Sequence, residues 1–553
     1  MTTAAEFNPS ADAGDARLDE IRNALLSSDV PKATALAREA LDAGQVHPLL
    51  LHLRAHQLQE LGRANEALLL LHQACDLSPA DPLIRNAIGE CLVRLGRHAD
   101  AIAAADFALQ LNPELARARF TKGLAYEMLG ELKEAEFCFR QASQLDPSFA
   151  DAYARLAAIS SRRSDWLQCR AMAGKALELD PPNSIALFAL ATADLAEGAL
   201  AEAELRLRTV LENPRMNAHE RANARSMLGD IRDRQDRTTE AFDLYRDANL
   251  ELENFFAPVM TAPEIESSPA LMARLSQHFR ETPDLVWTRR NPPARSTNDT
   301  SAGLVFIVGY PRSGTTLLGQ ILAAHPGAIT LEEKAPLVDA IRDLFDDPQG
   351  IRKLVQLSDA ELSGYRDAYW RHVRNFGLHL RDRILVDKQP LNLLRLPLIS
   401  RIFPEAKIVL AIRDPRDVVL SCFRRLFNMH PFTYQLLTLS GTAESYSAAM
   451  ELLETFRAKL PLNLFEMRNE DVVADFDAHI GKLCSFVGLD WRPSLRSFGA
   501  HSRRQHIATP SANQVARGLS AEGVEQWRRY RGQLAPVLPI LQPWVERYGY
   551  PAE

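Results

Sequence analysis

The chain has 553 residues, 46% of them hydrophobic and 24% charged, which predicts a packed globular protein of roughly two to four domains. The formal net charge of −7 excludes a general attraction to nucleic acid or to an anionic membrane surface, so any anion site must be local. No run of residues is long and apolar enough to span a membrane. Met1 to Asp15 is polar and acidic without an apolar signal segment, so we expect a cytoplasmic protein with a disordered tail at 1–14.

The cysteines are spread along the chain without paired spacing, so we expect reduced thiols rather than disulfides. They are Cys75, Cys91, Cys138, Cys169, Cys422 and Cys484. No group of cysteines and histidines has the spacing of a zinc site, so no metal is expected.

From about Asp15 the sequence repeats with a period of 34 residues. Prolines recur at this step as Pro79, Pro113, Pro147 and Pro181. Small residues keep the same step at Ala55, Gly89, Gly123, Ala157 and Ala191. Small residues let two helices approach closely, and this pattern resembles the tetratricopeptide repeat, a helix–turn–helix unit. We expect about six units and an N-terminal cap, stacked into an α-solenoid over 15–252.

A solenoid of this kind presents a concave surface, which predicts a bound peptide, a protein partner or a second copy of the chain. A purely structural arm is the alternative, because repeat identity does not define a ligand. The repeat pattern breaks after 252, and prolines and small polar residues follow. We therefore expect a connector over 253–302 and a second domain over 303–553.

An apolar run from Leu304 to Val308 predicts a buried strand, and a helical pattern follows from about Thr315 to Ala324. The turn between them is rich in Gly, Pro and Ser. A strand, a small-residue loop and a helix form a phosphate cradle, because loop N–H groups and the positive end of the helix point at one anion. The residues expected in the cradle are Arg312, Ser313, Gly314, Thr315 and Thr316.

This loop keeps the G-x-x-x-x-G-x-[ST] spacing of a nucleotide P-loop but lacks its lysine. Thr315 stands at the lysine position, and the cation comes earlier, as Arg312. Since an ATPase needs that lysine and magnesium to neutralise crowded phosphates, the loop favours a less charged transferable group, such as a phosphosulfate. Pro-Arg-Ser-Gly-Thr-Thr resembles the 5′-phosphosulfate loop of sulfotransferases that use 3′-phosphoadenosine-5′-phosphosulfate (PAPS). The alternative is a strand–helix corner without a ligand.

A second motif follows about 100 residues later. A strand from Ile408 to Ile412 delivers Arg413 at its end, and a helix starting near Pro415 places Ser421 about two turns on. Arg413 can form a forked pair with a phosphate and Ser421 can add a hydroxyl donor, with Arg425 assisting from the same helix face. This arrangement resembles the 3′-phosphate site of sulfotransferases. We expect two separate anion pockets, one formed by Arg312 with its neighbouring amides and one by Arg413 with Ser421.

The intervening chain carries candidates for acid–base chemistry. Sulfuryl transfer needs a base for the acceptor hydroxyl, and Glu333 of the Glu332–Glu333 pair is the candidate. Capping of the next helix is the alternative for both carboxylates. Lys388, at the end of a short apolar strand, can stabilise charge on the leaving oxygen. His325 and His379 are alternative bases.

The region from about Leu304 to Tyr548 resembles the tyrosylprotein sulfotransferases most. The resemblance implies a P-loop-like three-layer α/β domain with a mainly parallel sheet, PAPS as donor, no metal, and direct in-line transfer to an acceptor hydroxyl. It also implies Glu333 as the base, Ser511 at the sulfuryl group and Arg517 at the 3′-phosphate. Asn469 departs from the family pattern, which has Tyr at that position.

The acceptor class stays open among a peptide or protein tyrosine, a carbohydrate and a small-molecule hydroxyl. Two other functions are compatible with the same sequence. One is a P-loop kinase with a substrate-binding solenoid, against which the missing P-loop lysine argues. The other is a tetratricopeptide scaffold whose transferase domain binds nucleotide without turnover.

Overall fold

The computed structural model describes residues 16–27, 29–214, 216–283, 287, 299, 301–347, 349–502 and 518–552. The chain divides into two compact units, Met1–Asn213 and Pro214–Glu553. The predicted boundary of the repeats at 252 therefore lies inside the second unit.

The described part of the first unit is built from antiparallel helix pairs. The helices are α1 (Ala16–Leu26), α2 (Val30–Asp42), α3 (Pro48–Glu60), α4 (Ala64–Leu77), α5 (Pro82–Arg94), α6 (His98–Leu111), α7 (Ala116–Leu129), α8 (Leu132–Leu145), α9 (Ala150–Arg162), α10 (Trp166–Leu179), α11 (Ser184–Glu197) and α12 (Leu200–Glu212). Between paired helices the chain turns through Gly62, Gly96 and Gly130 with φ between +73° and +80°, as expected for glycine at a helix C-terminus.

The small repeat positions lie where the two helices of a unit touch. Ala55, Ala157 and Ala191 are fully buried, and a Cβ added at Gly123 would lie 2.6 Å from the Phe139 ring. The two helices of a unit therefore approach closely at these small residues, as the 34-residue pattern predicts. The expected N-terminal α-solenoid is confirmed.

The second unit begins with one more hairpin of the same kind. It consists of α13 (Ala218–Arg234) and α14 (Thr238–Met260), and α14 continues past the expected end of the repeats at 252. A Cβ added at Gly229 would lie 2.5 Å from the Tyr245 ring, and this pair has the same sequence offset as Gly123 and Phe139. The α13–α14 hairpin is therefore a repeat-type pair that packs within the second unit.

Five parallel strands form the centre of the second unit. They are β1 (Gly303–Gly309), β2 (Ala328–Glu332), β3 (Ile384–Lys388), β4 (Lys407–Ile412) and β5 (Asn463–Arg468). Their order in the sheet is β2-β3-β1-β4-β5, and every pairing is parallel. β2 and β5 are therefore the edge strands of the sheet.

The helices that follow the α13–α14 hairpin surround this sheet. They are α15 (Ser268–Glu281), α16 (Thr315–Ala323), α17 (Val338–Leu344), α18 (Gly350–Gln356), α19 (Asp359–Asn375), α20 (Leu396–Ile402), α21 (Pro415–Phe423), α22 (Pro431–Tyr434), α23 (Leu439–Lys459), α24 (Asn469–Ala474), α25 (Phe476–Val487), α26 (Phe498–Ser502), α27 (Arg531–Leu534) and α28 (Leu538–Arg547). Short 3₁₀ turns lie at Pro390–Arg395, Gln435–Leu437, Pro493–Ser497 and Gln526–Tyr530.

Side chains alternate along β1 between the two faces of the sheet. A separate core lies on each face, so the domain has three layers. Phe306 and Val308 pack into one cluster with α19, α20, α21 and α23, whereas Val305 and Ile307 pack into another with α16 and α25. The expected three-layer α/β domain with a parallel sheet is confirmed.

The strand order fixes where a ligand can bind. From β1 the chain crosses toward β2 and β3, and from β4 it continues in the opposite direction to β5. The carboxyl ends of β1 and β4 are adjacent, with Gly309 opposite Ala411. Ligands of open α/β sheets bind in the crevice at such a reversal, so this edge is the candidate site.

Candidate active site

The loop after β1 turns sharply before α16 begins at Thr315. Arg312 has φ +70° and Gly314 has φ +99°, and both values lie in the left-handed region. A Cβ at Gly314 would lie 2.8 Å from Asn469 Oδ1, so this close approach favours glycine. The N-terminus of α16 faces the loop, so the segment has the strand–turn–helix form of an anion cradle.

The two sequence motifs meet at the ends of β1 and β4. Arg312 Nε donates to Ser421 Oγ at 2.9 Å, and Arg413 Nη1 donates to the backbone oxygen of Arg312 at 3.1 Å. The Arg312 guanidinium thus lies with Ser421, whereas we expected it in a separate pocket with the loop amides. The backbone of 313–316 and the N-terminus of α16 remain as the first candidate pocket.

Positive charge is concentrated at this point. Burial lowers the pKa of the Arg312 guanidinium, and the nearby charges of Arg425 and Arg413 lower it further. Arg312 stays protonated at neutral pH because a guanidinium is far too basic to lose its charge there. Arg413 Nε is buried and has no hydrogen-bond partner among the described residues. A buried donor without a partner, beside further cations, is the environment that an anionic ligand satisfies.

Arg425, expected to assist at the same site, pairs with a carboxylate of the α13–α14 hairpin. Its Nη1 lies 2.7 Å from Asp230 Oδ2. The neighbouring Arg424 Nη2 lies 2.8 Å from Asp233 Oδ2. Both arginines follow directly after α21, the helix that carries Ser421. Arg312, Arg413, Arg424 and Arg425 form what we call the cation cluster. Two of its members, Arg424 and Arg425, are thus held by carboxylates of the α13–α14 hairpin.

Lys388 ends β3 with its side chain fully buried. Its Nζ lies 2.6 Å from Glu333 Oε1 and 2.7 Å from Glu332 Oε2. The backbone joins the same residues, since Glu333 N–H donates to Lys388 O at 2.9 Å. One buried cation is thus shared by two carboxylates, next to α16.

The two carboxylates differ in their surroundings. Glu332 Oε1 accepts from Gln320 Nε2 at 2.9 Å, and the Glu332 side chain is 17% exposed. The Glu333 side chain is 34% exposed and has the unusual φ of +46°. The next helix, α17, starts only at Val338 and has no side-chain cap, so neither carboxylate has the capping role considered as an alternative. Glu333 is therefore the more exposed of the two carboxylates.

The alternative histidine bases lie elsewhere. His325 is buried before β2, where its Nδ1 accepts from Gly327 N–H at 2.9 Å and its Nε2 contacts Asp490. His379 lies after the end of α19 at Asn375, in the loop before β3. Both precede strands, so they lie at the amino edge of the sheet, away from Lys388 and Arg413.

Ser511 and Arg517, which we expected at the sulfuryl group and at the 3′-phosphate, lie outside the described residues. Their roles stay predictions. Asn469, which departs from the family pattern, begins α24 and contacts the cradle at Gly314.

Comparison with known proteins supports this assignment of the two units. Residues 305–493 match the Sulfotransferase family, and residues 52–115 and 116–149 match the Tetratricopeptide repeat. The chain carries tetratricopeptide repeats and a sulfotransferase domain. None of the helices that the structure describes combines the length and the apolar character needed to cross a membrane.

Several curated proteins are similar to the sulfotransferase domain. Protein-tyrosine sulfotransferase 1 of Danio rerio is 23% identical over 264 residues, which cover 45% of this chain and 72% of the relative. Protein-tyrosine sulfotransferase 2 of Gallus gallus is 26% identical over 271 residues, which cover 45% of this chain and 69% of the relative. An uncharacterized protein of Aquifex aeolicus (strain VF5) is 28% identical over 269 residues, which cover 44% of this chain but only 34% of that protein.

Solved structures resemble each unit. The sulfotransferase domain from the curacin biosynthetic pathway is 21% identical, with a TM-score of 0.33, and the match covers 45% of this chain and 99% of that structure. A thermophilic tetratricopeptide repeat protein of Thermus thermophilus is 22% identical, with a TM-score of 0.30, and the match covers 33% of this chain and 98% of that structure.

Three contacts of the sulfotransferase domain were not predicted from the sequence. Gln320 is fully buried and holds Glu332, and a Cβ at Gly319 would lie 3.0 Å from Glu332 Oε1. Gln320, a polar residue inside the apolar pattern of α16, is the signal in the sequence that could have indicated the contacts of Gln320 and Gly319 with Glu332. The third is the pairing of Asp230 with Arg425, for which no local pattern exists because the residues are 195 positions apart.

Proposed function

We propose that this chain transfers a sulfuryl group from PAPS to an acceptor hydroxyl by direct in-line transfer. The observation that carries the proposal is the meeting of Arg312, Arg413 and Ser421 at the strand-order reversal, where the buried Arg413 Nε has no partner among the described residues. A strand–helix corner without a ligand, the alternative interpretation of this segment, does not require two arginines at its centre.

The residues present fit a nucleotide with phosphates at both ends. The amides of 313–316 and the N-terminus of α16 suit the 5′-phosphosulfate. Arg413, Ser421 and Arg425, joined by the Arg312 guanidinium, suit the 3′-phosphate. Bound PAPS supplies the sulfuryl group and the leaving phosphate. Ser511 and Arg517 complete the proposal from the segment that lies outside the described residues.

Glu333 and Lys388 carry the acid–base part of the proposal. Glu333, the more exposed carboxylate, takes the proton of the acceptor hydroxyl. Lys388, fully buried, donates toward the oxygen on which charge develops as the leaving group departs. A buried cation is effective here because low-dielectric surroundings strengthen its interaction with developing charge.

We further propose a tyrosine hydroxyl in a peptide or protein as the acceptor. Support comes from the relatives, two of which are protein-tyrosine sulfotransferases. The repeats are suited to binding a protein partner, since stacked helix pairs form extended surfaces. The kinase alternative is not favoured, because Thr315 is buried at the place where a P-loop presents its lysine.

The test is sulfate transfer from radiolabelled PAPS to tyrosine-containing peptides, with carbohydrate and small-molecule hydroxyls in parallel. Glu333→Ala and Lys388→Ala should each lower turnover by about 100-fold or more, since a base or a transition-state donor is lost. Lys353→Ala, an exposed lysine on α18, is the matched control and should keep full turnover.

Two results would contradict the proposal. One is turnover that survives both substitutions unchanged. The other is binding of magnesium ATP without binding of 3′-phosphoadenosine-5′-phosphate (PAP), which would favour a kinase. Tight PAP binding without turnover on any acceptor class would indicate a nucleotide-binding scaffold instead.

A further inference from the structure

The α13–α14 hairpin packs against the end of α21, close to Ser421. Asn249 Nδ2 donates to Phe423 O at 2.9 Å in a buried contact. The rings of Phe242 and Phe423 stack with centroids 5.0 Å apart. Ser421 lies two positions before Phe423 on the same helix. A repeat-type element therefore fixes the helix end that carries the candidate 3′-phosphate hydroxyl.

The hairpin also supplies carboxylates to the cation cluster. Asp230 accepts from Arg425 Nη1 at 2.7 Å and from Tyr245 OH at 2.8 Å. The Tyr245 side chain is buried, so it fixes the Asp230 carboxylate from behind. Burial alone would raise the pKa of Asp230, but the charges of Arg425 and Arg424 outweigh it and the pKa falls below its ordinary value. Asp230 is therefore an anion throughout the neutral range.

Without Asp230, the arginines would repel one another. Arg425 acts electrostatically on Arg312, whose pKa it lowers together with Arg413. Arg424 in turn disfavours the charge of Arg425, whereas Asp230 favours it. An arginine has five N–H donors, and the ion pair with Asp230 engages only its Nη1. Asp230 thus offsets the repulsion and still leaves a planar cation beside Arg312.

We propose that Asp230 is a positioning residue that holds Arg425 at the 3′-phosphate site, so that a repeat-type hairpin forms part of the donor site of the sulfotransferase domain. This inference rests on the proposed function, because it assigns the 3′-phosphate to Arg425 and its neighbours. Asp230 has no contact with the ligand in this proposal and acts through Arg425.

The test is calorimetric titration of the full chain with PAP and with adenosine 5′-monophosphate, which lacks the 3′-phosphate. Asp230→Asn keeps the shape and a hydrogen-bond acceptor for Tyr245 but removes the charge that holds Arg425. We expect PAP to bind about tenfold more weakly, since a charge-assisted contact is lost, and the monophosphate to bind as before. In an Arg425→Ala background, Asp230→Asn should have no further effect on PAP, because the two residues act as a unit.

Asp236→Asn is the matched control. Asp236 lies in the turn of the same hairpin, pairs with Arg529, and has an 85% exposed side chain. The Asp236→Asn variant should bind PAP as tightly as the wild type does. Tyr245→Phe, which removes only the hydroxyl behind Asp230, should weaken PAP by about threefold and serves as the deciding variant if Asp230→Asn does not fold.

The outcomes separate the inference from the proposed function. A wild-type chain that binds no PAP overturns the proposed function itself. PAP binding by the wild type, with equal or tighter binding by Asp230→Asn or by the deciding variant Tyr245→Phe, overturns only the role of Asp230. An equal loss for PAP and for the monophosphate also overturns it, because it would indicate general damage to the site.

Discussion

At the scale of single residues, the most informative contact is the sharing of Lys388 between Glu332 and Glu333. Glu332 is tied down by Gln320 and by Lys388, whereas Glu333 is more exposed. Together the three charged side chains carry one net negative charge. Lys388 therefore divides its donors between two carboxylates and does not bind Glu333 alone.

Glu332→Gln is expected to lower kcat by about tenfold while KM for the donor changes little. The substitution removes the second ion pair of Lys388, so Lys388 pairs with Glu333 alone and holds that carboxylate more firmly away from the acceptor. Steady-state kinetics with saturating PAPS measures the effect, and Glu202→Gln on α12, an exposed position, is the control. An unchanged kcat would show that Glu332 has no influence on Glu333.

Asp387 precedes Lys388 on β3 and points to the opposite face of the sheet. It is fully buried, and Tyr369 OH donates to its Oδ2 at 2.9 Å. Burial raises the pKa of the Asp387 carboxyl to about 7, although the Tyr369 hydrogen bond and the charge of Arg395 act in the other direction. The folded protein therefore retains a proton that the unfolded chain releases near pH 4.

Because the folded state binds the extra proton between about pH 4 and pH 7, the free energy of unfolding falls as the pH rises through this window. Asp387→Asn has no such titration. Between pH 5 and pH 8, the free energy of unfolding of the second unit should fall by up to about 3 kcal/mol more for the wild type than for the variant, as measured by denaturant unfolding. Parallel curves for the two proteins would contradict the assignment, whereas Asp343→Asn, at a partly exposed site on α17, should behave like the wild type.

At the scale of elements, the segments with local signals were predictable. The alanine and glycine positions of the repeats, the run into β1 with α16, and β4 with the start of α21 at Pro415 follow from short-range patterns. The edge position of β5 was not predictable, because strand order depends on pairings between distant segments. The same reason hid the contact of Arg312 with Ser421, whose residues are 109 positions apart.

The α13–α14 hairpin shows how a repeat can change its role without changing its form. Gly229 and Tyr245 repeat the packing of Gly123 and Phe139, so the sequence correctly predicted a repeat unit. Its other face carries Asp230 and Asp233, which pair with arginines of the sulfotransferase domain. Helix periodicity indicates which residues face a partner helix, but it does not identify what the remaining face contacts.

At the scale of the whole molecule, the boundary between the two compact units falls before this hairpin. A chain that starts at 214 should fold and unfold cooperatively and should bind PAP, because it keeps the hairpin. A chain that starts at 253 should be insoluble or partly unfolded, since Arg424, Arg425 and Arg529 lose their carboxylate partners and buried side chains such as Tyr245 are missing. Circular dichroism melts and PAP titration of both chains measure this, and equal stability would place the boundary near 252 instead.

The pairing of the hairpin with distant segments also has a consequence for the synthesis of the chain. Asp233 contacts Arg529, which is 296 positions later. At roughly 5 to 20 residues per second, the ribosome takes roughly 15 to 60 s to deliver that partner after the hairpin has emerged. The preceding repeats need only neighbouring contacts and can form during this interval, whereas the hairpin leaves the tunnel with its acidic, partly apolar face uncovered. Closure of this face therefore has to wait until the segments that carry Arg424 and Arg529 have been synthesised.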